Sequence, residues 1–456
     1  MPVRITAPDT QRVVAGSLHI EYLLICTLIP DPKNTRRHSA RQIAKLVKII
    51  NALGWSTPIV IDENNRVLAG HARLAAAKKL GMDKVPCIRL SHLDAAQKKA
   101  LAVADNAMTD TSSFDDTLLR EVLIELGDLD FDLELTGLEM ATIDFVIDGP
   151  AGDAVADAAD NINLPDADQT PVTRSGDVWM MGDHKLLCGD ALALGSYEAL
   201  LGDERATMVI SDPPFNVPIN GHVSGLGRPR HREFTAASGE MTQQQFRDFL
   251  ATFMRRVCAF SADASLHFIF MDWRSIGTLL EAGAGIYTEL KNICVWNKTN
   301  AGMGSLYRSK HELVAVFKHG TAPHINHVAL GKYGRHRSNV WDYAGANTFS
   351  KTRDADLAAH PTVKPVALVA DAIRDCSNRG DLVLDPFMGS GTTILAAERS
   401  GRRAAGLEID PLYVDTAVRR WQLATGKQAT LVGDGRDFDT IAAERLAPGA
   451  CGREAA

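Results

Sequence analysis

An aspartate followed by two prolines and an aromatic ring, Asp212-Pro213-Pro214-Phe215 after Ser211, has the makings of an acceptor site for an amino group. The prolines stiffen the turn and remove competing N–H groups, so the Asp212 carboxylate and the Pro213 carbonyl can both accept from one amine. Phe215 adds a flat face on which a base can stack. Taken alone, the string fits a proline-stiffened turn with an aspartate cap equally well. A second string, Asp385-Pro386-Phe387-Met388-Gly389-Ser390-Gly391, shifts that balance. Its glycines let backbone approach a ligand, and the helical run from Thr392 to Glu398 behind it offers amide donors at its start. About seventeen residues beyond Gly391, an apolar run ends in Glu408, where an acid can take both hydroxyls of a ribose. The unit lacks the third glycine of a dinucleotide fingerprint and the lysine of a phosphate loop, so a nucleoside is the expected ligand.

Each string must sit at the end of a strand. Short apolar runs at Thr207 to Ile210, Leu266 to Met271, Ile293 to Trp296, Leu313 to Phe317, Leu382 to Leu384 and Ala404 to Leu407 alternate with helical stretches. That alternation predicts an α/β sheet with substantial parallel character, whose strands are buried on both faces. Ligands of such sheets bind beyond the carboxyl ends of the strands, where Asp212 and Asp385 both fall. Ahead of it, Pro58 to Asp62, a polar turn at Asn64-Asn65, Arg66 to Gly70 and a helical run from His71 to Leu80 read as a hairpin feeding a helix.

With 456 residues, the chain calls for two or three domains. No signal-like or membrane-spanning run is visible, which makes the cytoplasm the expected compartment and a membrane partner unexpected. Seven cysteines without a C-x-x-C pair suggest neither a disulfide framework nor a metal site. The net charge of −7 is unevenly spread. From Asp115 to Asp168 there are sixteen acids against Arg120 alone, whereas Arg308, Lys310, Lys318, Lys332, Arg335 and Arg337 face only Glu312 between residues 308 and 337. Arg228, Arg230, His231 and Arg232 form a second basic cluster. Local charge of this sign suits phosphate contacts, and Arg228, Arg230, Arg308, Lys310, Arg335 and Arg337 are the candidate DNA-contacting residues.

These motifs resemble those of a known family. Asp212-Pro213-Pro214-Phe215 is similar to the catalytic motif of the DNA amino-methyltransferases, and Asp385 to Gly391 resembles their S-adenosyl-L-methionine motif. The catalytic motif comes first, as in the permuted β group. His360-Pro361-Thr362-Val363-Lys364-Pro365, the run from Trp296-Asn297-Lys298 through Tyr307-Arg308 to His311-Glu312, and Asp190 in Cys188-Gly189-Asp190-Ala191 are further similarities, together covering residues 171 to 426. The resemblance implies a Rossmann-like methyltransferase domain. It also implies S-adenosyl-L-methionine as cofactor, contacted by Asp190, Thr362, Lys364, Asp385, Phe387, Gly389, Gly391 and Glu408. Double-stranded DNA is the implied partner and the exocyclic N6 of adenine the favoured target, because Asp is the more usual first residue of the motif for adenine and Ser for cytosine N4. Asp212, Pro213, Pro214 and Phe215 would be catalytic, acting on a base rotated out of the duplex. Cytosine-N4 methylation, and a non-catalytic DNA-binding regulator, are the alternatives.

The N-terminal unit resembles the ParB-like domain through the hairpin and Gly70-His71-Ala72-Arg73-Leu74. Gly70 and Arg73 match a Gly-x-x-Arg that meets phosphate or nucleotide in that family, but His71 replaces the acid usual in its nucleotide-hydrolysing members. An accessory function on DNA is therefore expected from a small α+β domain. The expected divisions are a ParB-like domain at 1–112, an acidic helical segment and linker at 113–170, a methyltransferase domain at 171–430 with target recognition at about 216–358, and a tail at 431–456. Pro86-Cys87 lies on an expected strand far from either motif, and no cysteine nucleophile is required. A homodimer and a cognate restriction endonuclease are both compatible with the sequence.

Overall fold

Alternating apolar runs and turn residues become two units in the computed structural model, Met1–Ile147 and Asp148–Ala456. It describes residues 18–111, 113–149, 158–160, 169–217, 239–299, 306–328, 337–345 and 363–447. In the first unit, β1 (Ile20–Leu24), β2 (Ile59–Ile61), β3 (Val67–Ala69) and β4 (Lys84–Arg89) form a sheet in the order β1-β4-β2-β3. The expected hairpin is the antiparallel pair of β2 and β3, and the helix His71–Lys79 starts directly after Gly70, whose φ of 98° a side chain would resist.

Part of the acidic segment closes on this unit. Asp115 caps the helix Asp116–Asp128 by accepting from the Thr117 and Leu118 amides. Leu123, Leu133, Met140 and Ile143 then make a small core of their own. Glu134 pairs with Lys48 at 2.8 Å, while Glu139 takes Lys45 at 3.2 Å and also Arg41. The three bases come from one helix, Ala40–Leu53, so some of the acid block answers a basic face within the same unit.

The second unit is built on ten strands: β5 (Val178–Met181), β6 (His184–Cys188), β7 (Ala206–Ser211), β8 (Ser261–Met271), β9 (Glu289–Asn297), β10 (His311–Lys318), β11 (Val340–Asp342), β12 (Leu382–Asp385), β13 (Arg403–Glu408) and β14 (Thr430–Leu431). Their order is β11-β9-β10-β8-β7-β12-β13-β6-β5-β14. The middle of the sheet, from β8 through β7, β12 and β13 to β6, is parallel, as buried strands linked by helices should be. β10 runs antiparallel between β8 and β9, so its start lies at the same edge as the ends of those two strands. Apolar cores cover both faces. Four strands lie outside the six read from the sequence, namely β5, β6, β11 and β14. They are peripheral and short, or alternate partly polar residues, which weakens the signal of a buried strand.

Two boundaries differ from the sequence reading. Residues 431–445 are no tail, since β14 pairs with β5 and the helix Phe438–Arg445 packs on the sheet. The Phe438 ring meets buried Trp179 edge-on at 4.9 Å, and Arg445 pairs with Asp177. Within the expected linker, residues 158–160 are docked: Asp160 accepts from the Val366 amide at 2.9 Å and the Ala159 carbonyl accepts from Arg420 at 2.7 Å. The sequence hid both attachments because their partners are remote in the chain. No helix among the described residues is long and apolar enough to cross a membrane. Phe438→Ala should destabilise the second unit by about 3–5 kcal/mol, the cost of emptying an aromatic core position. Denaturant unfolding measures it, and a true tail would show no change.

Candidate active site

β7 and β12 are parallel neighbours, with Met208 opposite Val383 and Val209 opposite Leu384. From β7 the chain proceeds to β8 on one side, and from β12 to β13 on the other. Adjacent strands whose connections diverge leave a crevice at their carboxyl ends. Here it is a cavity of about 320 Å³, lined by Asp212 to Phe215 on one wall and by Asp385 to Ser390 on the other. Asp190, Lys364 and Glu408 line it too.

The wall that follows β12 is shaped by two carboxylates. Asp385 accepts from the Thr393 hydroxyl at 2.6 Å and from the Phe387 amide at 3.1 Å, which holds the turn closed beneath the cavity. Glu408, at the end of β13, accepts from the Gly389 amide at 2.8 Å and from the Asp410 amide at 2.9 Å. Burial pushes both carboxyls up to about 7, against those hydrogen bonds. A carboxylate has about four acceptor sites, so Glu408 keeps capacity for hydroxyl donors. Gly389 has a φ of 54° and open space where a side chain would stand, so its backbone is free to meet a ligand. Phe387 is braced by Phe249 and Phe253 at ring distances of 5.9 and 5.2 Å. Asp190 is exposed, and one of its oxygens accepts from the Leu192 amide at 2.8 Å. Hydroxyl acceptors, open glycine backbone and apolar walls together fit a nucleoside such as that of S-adenosyl-L-methionine.

Gly391 departs from this picture. It does not line the cavity; with φ at 86°, an added side chain would strike Ala417 at 2.7 Å. Its part is close packing of the turn against the helix Pro411–Thr425.

On the opposite wall, Asp212 accepts from Lys364 Nζ at 2.5 Å through Oδ2, while Oδ1 has no hydrogen-bond partner among the described residues. Lys364 also pairs with Glu312 at 3.1 Å, and Glu312 with Lys298. Lys364 therefore sits against the amino-acceptor motif, a placement that its expected part in cofactor contact did not anticipate. Burial raises the Asp212 carboxyl, opposed by Lys364. At Glu312 burial acts upward as well, but Lys364 and Lys298 together hold the carboxyl below its ordinary value.

Sequence reasoning named Lys298 and Glu312 only within a family-similar run and gave neither them nor Asn216 a place in the site. Asn216, in the left-handed region at φ 58°, accepts from the amides of Gly239 and Met241 and donates to the Met241 carbonyl. It thereby ties together the two ends of the segment that carries Arg228 and Arg230. An asparagine after the Asp-Pro-Pro-Phe string was the available signal, since Asn tolerates that backbone region better than most residues.

Of the expected DNA-contacting residues, Arg228, Arg230 and Arg335 lie outside the described residues, as does Thr362 of the cofactor set. Arg308 and Lys310 are exposed. Arg337 is a correction. Its guanidinium is buried, donating to Asp375 at 3.0 Å and to the Tyr343 hydroxyl at 2.9 Å, and a cation so enclosed is not available to phosphate. In the first unit Arg73 is turned inward and donates to the Thr57 and Pro58 carbonyls at 2.7 and 3.1 Å, so the Gly70–Arg73 motif holds strand to helix. Cys87 is buried, its thiol pushed up to about 11 by desolvation, which suits no nucleophile. No group of three or more His, Cys, Asp and Glu side chains gathers as a metal site among the described residues.

Residues 206–419 match the family model described as DNA methylase, of the N6/N4 type. This region of the chain belongs to the N6/N4 DNA methylase family. Ahead of the methylase region, residues 9–107 match the ParB N-terminal domain and 117–175 the ParB-methyltransferase HTH domain. The methylase is 27% identical over 256 residues to the type II methyltransferase M.HpaI of Haemophilus parainfluenzae, spanning 52% of this chain and 74% of that one. The chain is also 45% identical over 86 residues to YnaK of Escherichia coli, a ParB-like nuclease domain-containing protein, covering 19% of this chain and 99% of YnaK. Among solved structures, a putative DNA modification methylase of Thermus thermophilus, TTHA0409, complexed with S-adenosyl-L-methionine, shares 23% identity with a TM-score of 0.38. The match covers 53% of this chain and 93% of that one.

The raised Glu408 carboxyl has a measurable consequence for the methylase. Its folded value of about 7 exceeds its ordinary 4.5, so its stabilising contribution is complete below about pH 4.5 and is lost as the pH rises through 7. Relative to wild type, Glu408→Gln should gain stability between about pH 4.5 and 7, on the order of 3 kcal/mol, and hold that difference above. Denaturation midpoints of the free protein across that range check the sign.

Proposed function

We propose that this methylase transfers a methyl group from S-adenosyl-L-methionine to the N6 amino group of adenine in double-stranded DNA, at a specific site. The observation that carries the reading is the Asp212 Oδ1, without a hydrogen-bond partner among the described residues, in a cavity whose far wall is the proposed nucleoside-binding turn. An exocyclic amine is a poor nucleophile because its lone pair is delocalised into the ring. Accepting both of its N–H bonds, at Asp212 Oδ1 and at the Pro213 carbonyl, draws the nitrogen toward tetrahedral geometry and frees that pair. Phe215 supplies the stacking face that holds the base once it has left the duplex.

S-adenosyl-L-methionine supplies an electrophilic sulfonium methyl group for in-line attack. Glu408 would take the ribose hydroxyls and Asp190 the adenine side, with the Asp385 to Gly389 turn beneath. Asp212 is placed to receive the proton that the nitrogen gives up. No covalent bond to the protein is needed.

Adenine is favoured over cytosine by the aspartate that opens the motif. Exposed Arg308 and Lys310 serve phosphate contact, together with Arg228 and Arg230. Target recognition belongs to the region of about 216–358, and the ParB-like unit acts as an accessory on DNA.

Labelled S-adenosyl-L-methionine and mixed-sequence duplex DNA, followed by digestion, should place the label in N6-methyladenine. Label confined to N4-methylcytosine would overturn the choice of base, and absence of label from DNA would overturn the reaction. Asp212→Ala should lower kcat by about 10²- to 10³-fold or more, the scale of losing one preorganised hydrogen bond at a reacting centre, with cofactor affinity little changed.

A further inference from the structure

Lys364 is a lysine almost sealed from water, 6% exposed, beside a Glu312 that is 8% exposed. Its ammonium stands at 2.5 Å from Asp212 Oδ2 and 3.1 Å from Glu312 Oε2. Three rings enclose it, with centroids at 5.1 Å for Phe270, 5.7 Å for Phe215 and 5.8 Å for Trp296. Lys298 completes the group, paired with Glu312 and lying over the Trp296 ring at 4.5 Å. Two carboxylates and two ammonium groups thus balance in a largely buried setting, drawn from the residue after β7, the start of β10, the residue after β9 and the residue before Pro365. Such an assembly is costly to desolvate, so stability alone is a weak reason for it.

Its geometry suggests another reason. The Lys364 bond occupies one Asp212 oxygen and leaves the other unpartnered within the cavity wall. A lone aspartate on a turn could swing either oxygen toward the amine; one gripped at Oδ2 cannot. We propose that Lys364, backed by Glu312, is a positioning residue for methyl transfer: it favours the ionised form of the Asp212 carboxylate before the reaction and holds it in the one orientation that presents Oδ1 to the target amine. This rests on the proposed reaction and extends it, because it moves Lys364 from cofactor contact to the amine side.

The groups facing Asp212 are Lys364, Glu312 and Lys298, with Asp385 beyond on β12. They set opposite signs for two variants. Lys364→Met removes the cation that favours ionised Asp212, so the acidic limb of the kcat profile should move up by about one to three pH units. Glu312→Gln removes a like charge, so that limb should move down. Lys364→Arg keeps the charge and should restore the wild-type limb, though with reduced kcat because the fork cannot reproduce a point contact. Thermal unfolding identifies any variant that is not folded, in which case the remaining two decide.

S-adenosyl-L-methionine affinity, measured by calorimetry without DNA, should stay within about threefold of wild type in all three, as expected where no cofactor hydrogen bond is lost. Limbs that stay in place, or shifts of the same sign in Lys364→Met and Glu312→Gln, overturn the proposal. So does a loss of cofactor affinity in Lys364→Met with an unmoved limb, which would return the lysine to the cofactor. Wild-type protein that labels DNA while the limbs stay fixed defeats the positioning role alone; wild-type protein that labels no DNA defeats the reaction and this role with it.

Discussion

Two parallel strands lying side by side, with chains that turn off to opposite sides, leave a crevice that neither connection covers, and β7 and β12 stand in that relation. Nothing else in the methylase would work without it. Asp212 and Asp385 are 173 residues apart, yet each is the first residue beyond, or the last within, a strand of the same pair. Backbone hydrogen bonding between the strands therefore places Asp212 and the turn that follows Asp385 on facing walls. The glycines then refine the second wall: Gly389 leaves space for a ligand, and Gly391 lets the turn lie against Ala417.

Charge is handled differently on the two walls. Below the turn that follows β12, Asp385 and Glu408 are held by hydroxyl and amide donors, and burial dominates. On the amine side, cations are packed inside the protein, and their attraction opposes the same burial. A low-dielectric site strengthens every such interaction, favourable or not. The difference suits neutral hydroxyls on one side and a hydrogen-bonded amine on the other.

Basic residues that share a stretch of sequence have separate fates. Arg308 and Lys310 remain at the surface, while Arg337 is drawn into a cluster with Asp371, Asp375 and Tyr343 beneath Trp341. Arg73 likewise turns from a candidate phosphate ligand into a clasp on the Thr57 and Pro58 carbonyls, just ahead of β2. Charge patterning along a chain shows which segments can meet a polyanion; it does not show which side chains an acid elsewhere in the chain has already claimed.

The sequence by itself determined the two strings, the order in which they occur, the parallel α/β sheet and the nucleoside-type turn, because these depend on local apolar runs, prolines, glycines and an acid at a set distance. The hairpin and helix of the first unit were legible for the same reason. Lys364 and Glu312 meeting Asp212, Asn216 bonding to Gly239 and Met241, Arg337 lost to an enclosed ion pair, and the helix Phe438–Arg445 covering Trp179 were decided only by tertiary structure. Each joins residues by proximity across the sheet or between segments, and the free energy of those contacts comes from burial and charge pairing, which leave no periodic trace in the chain.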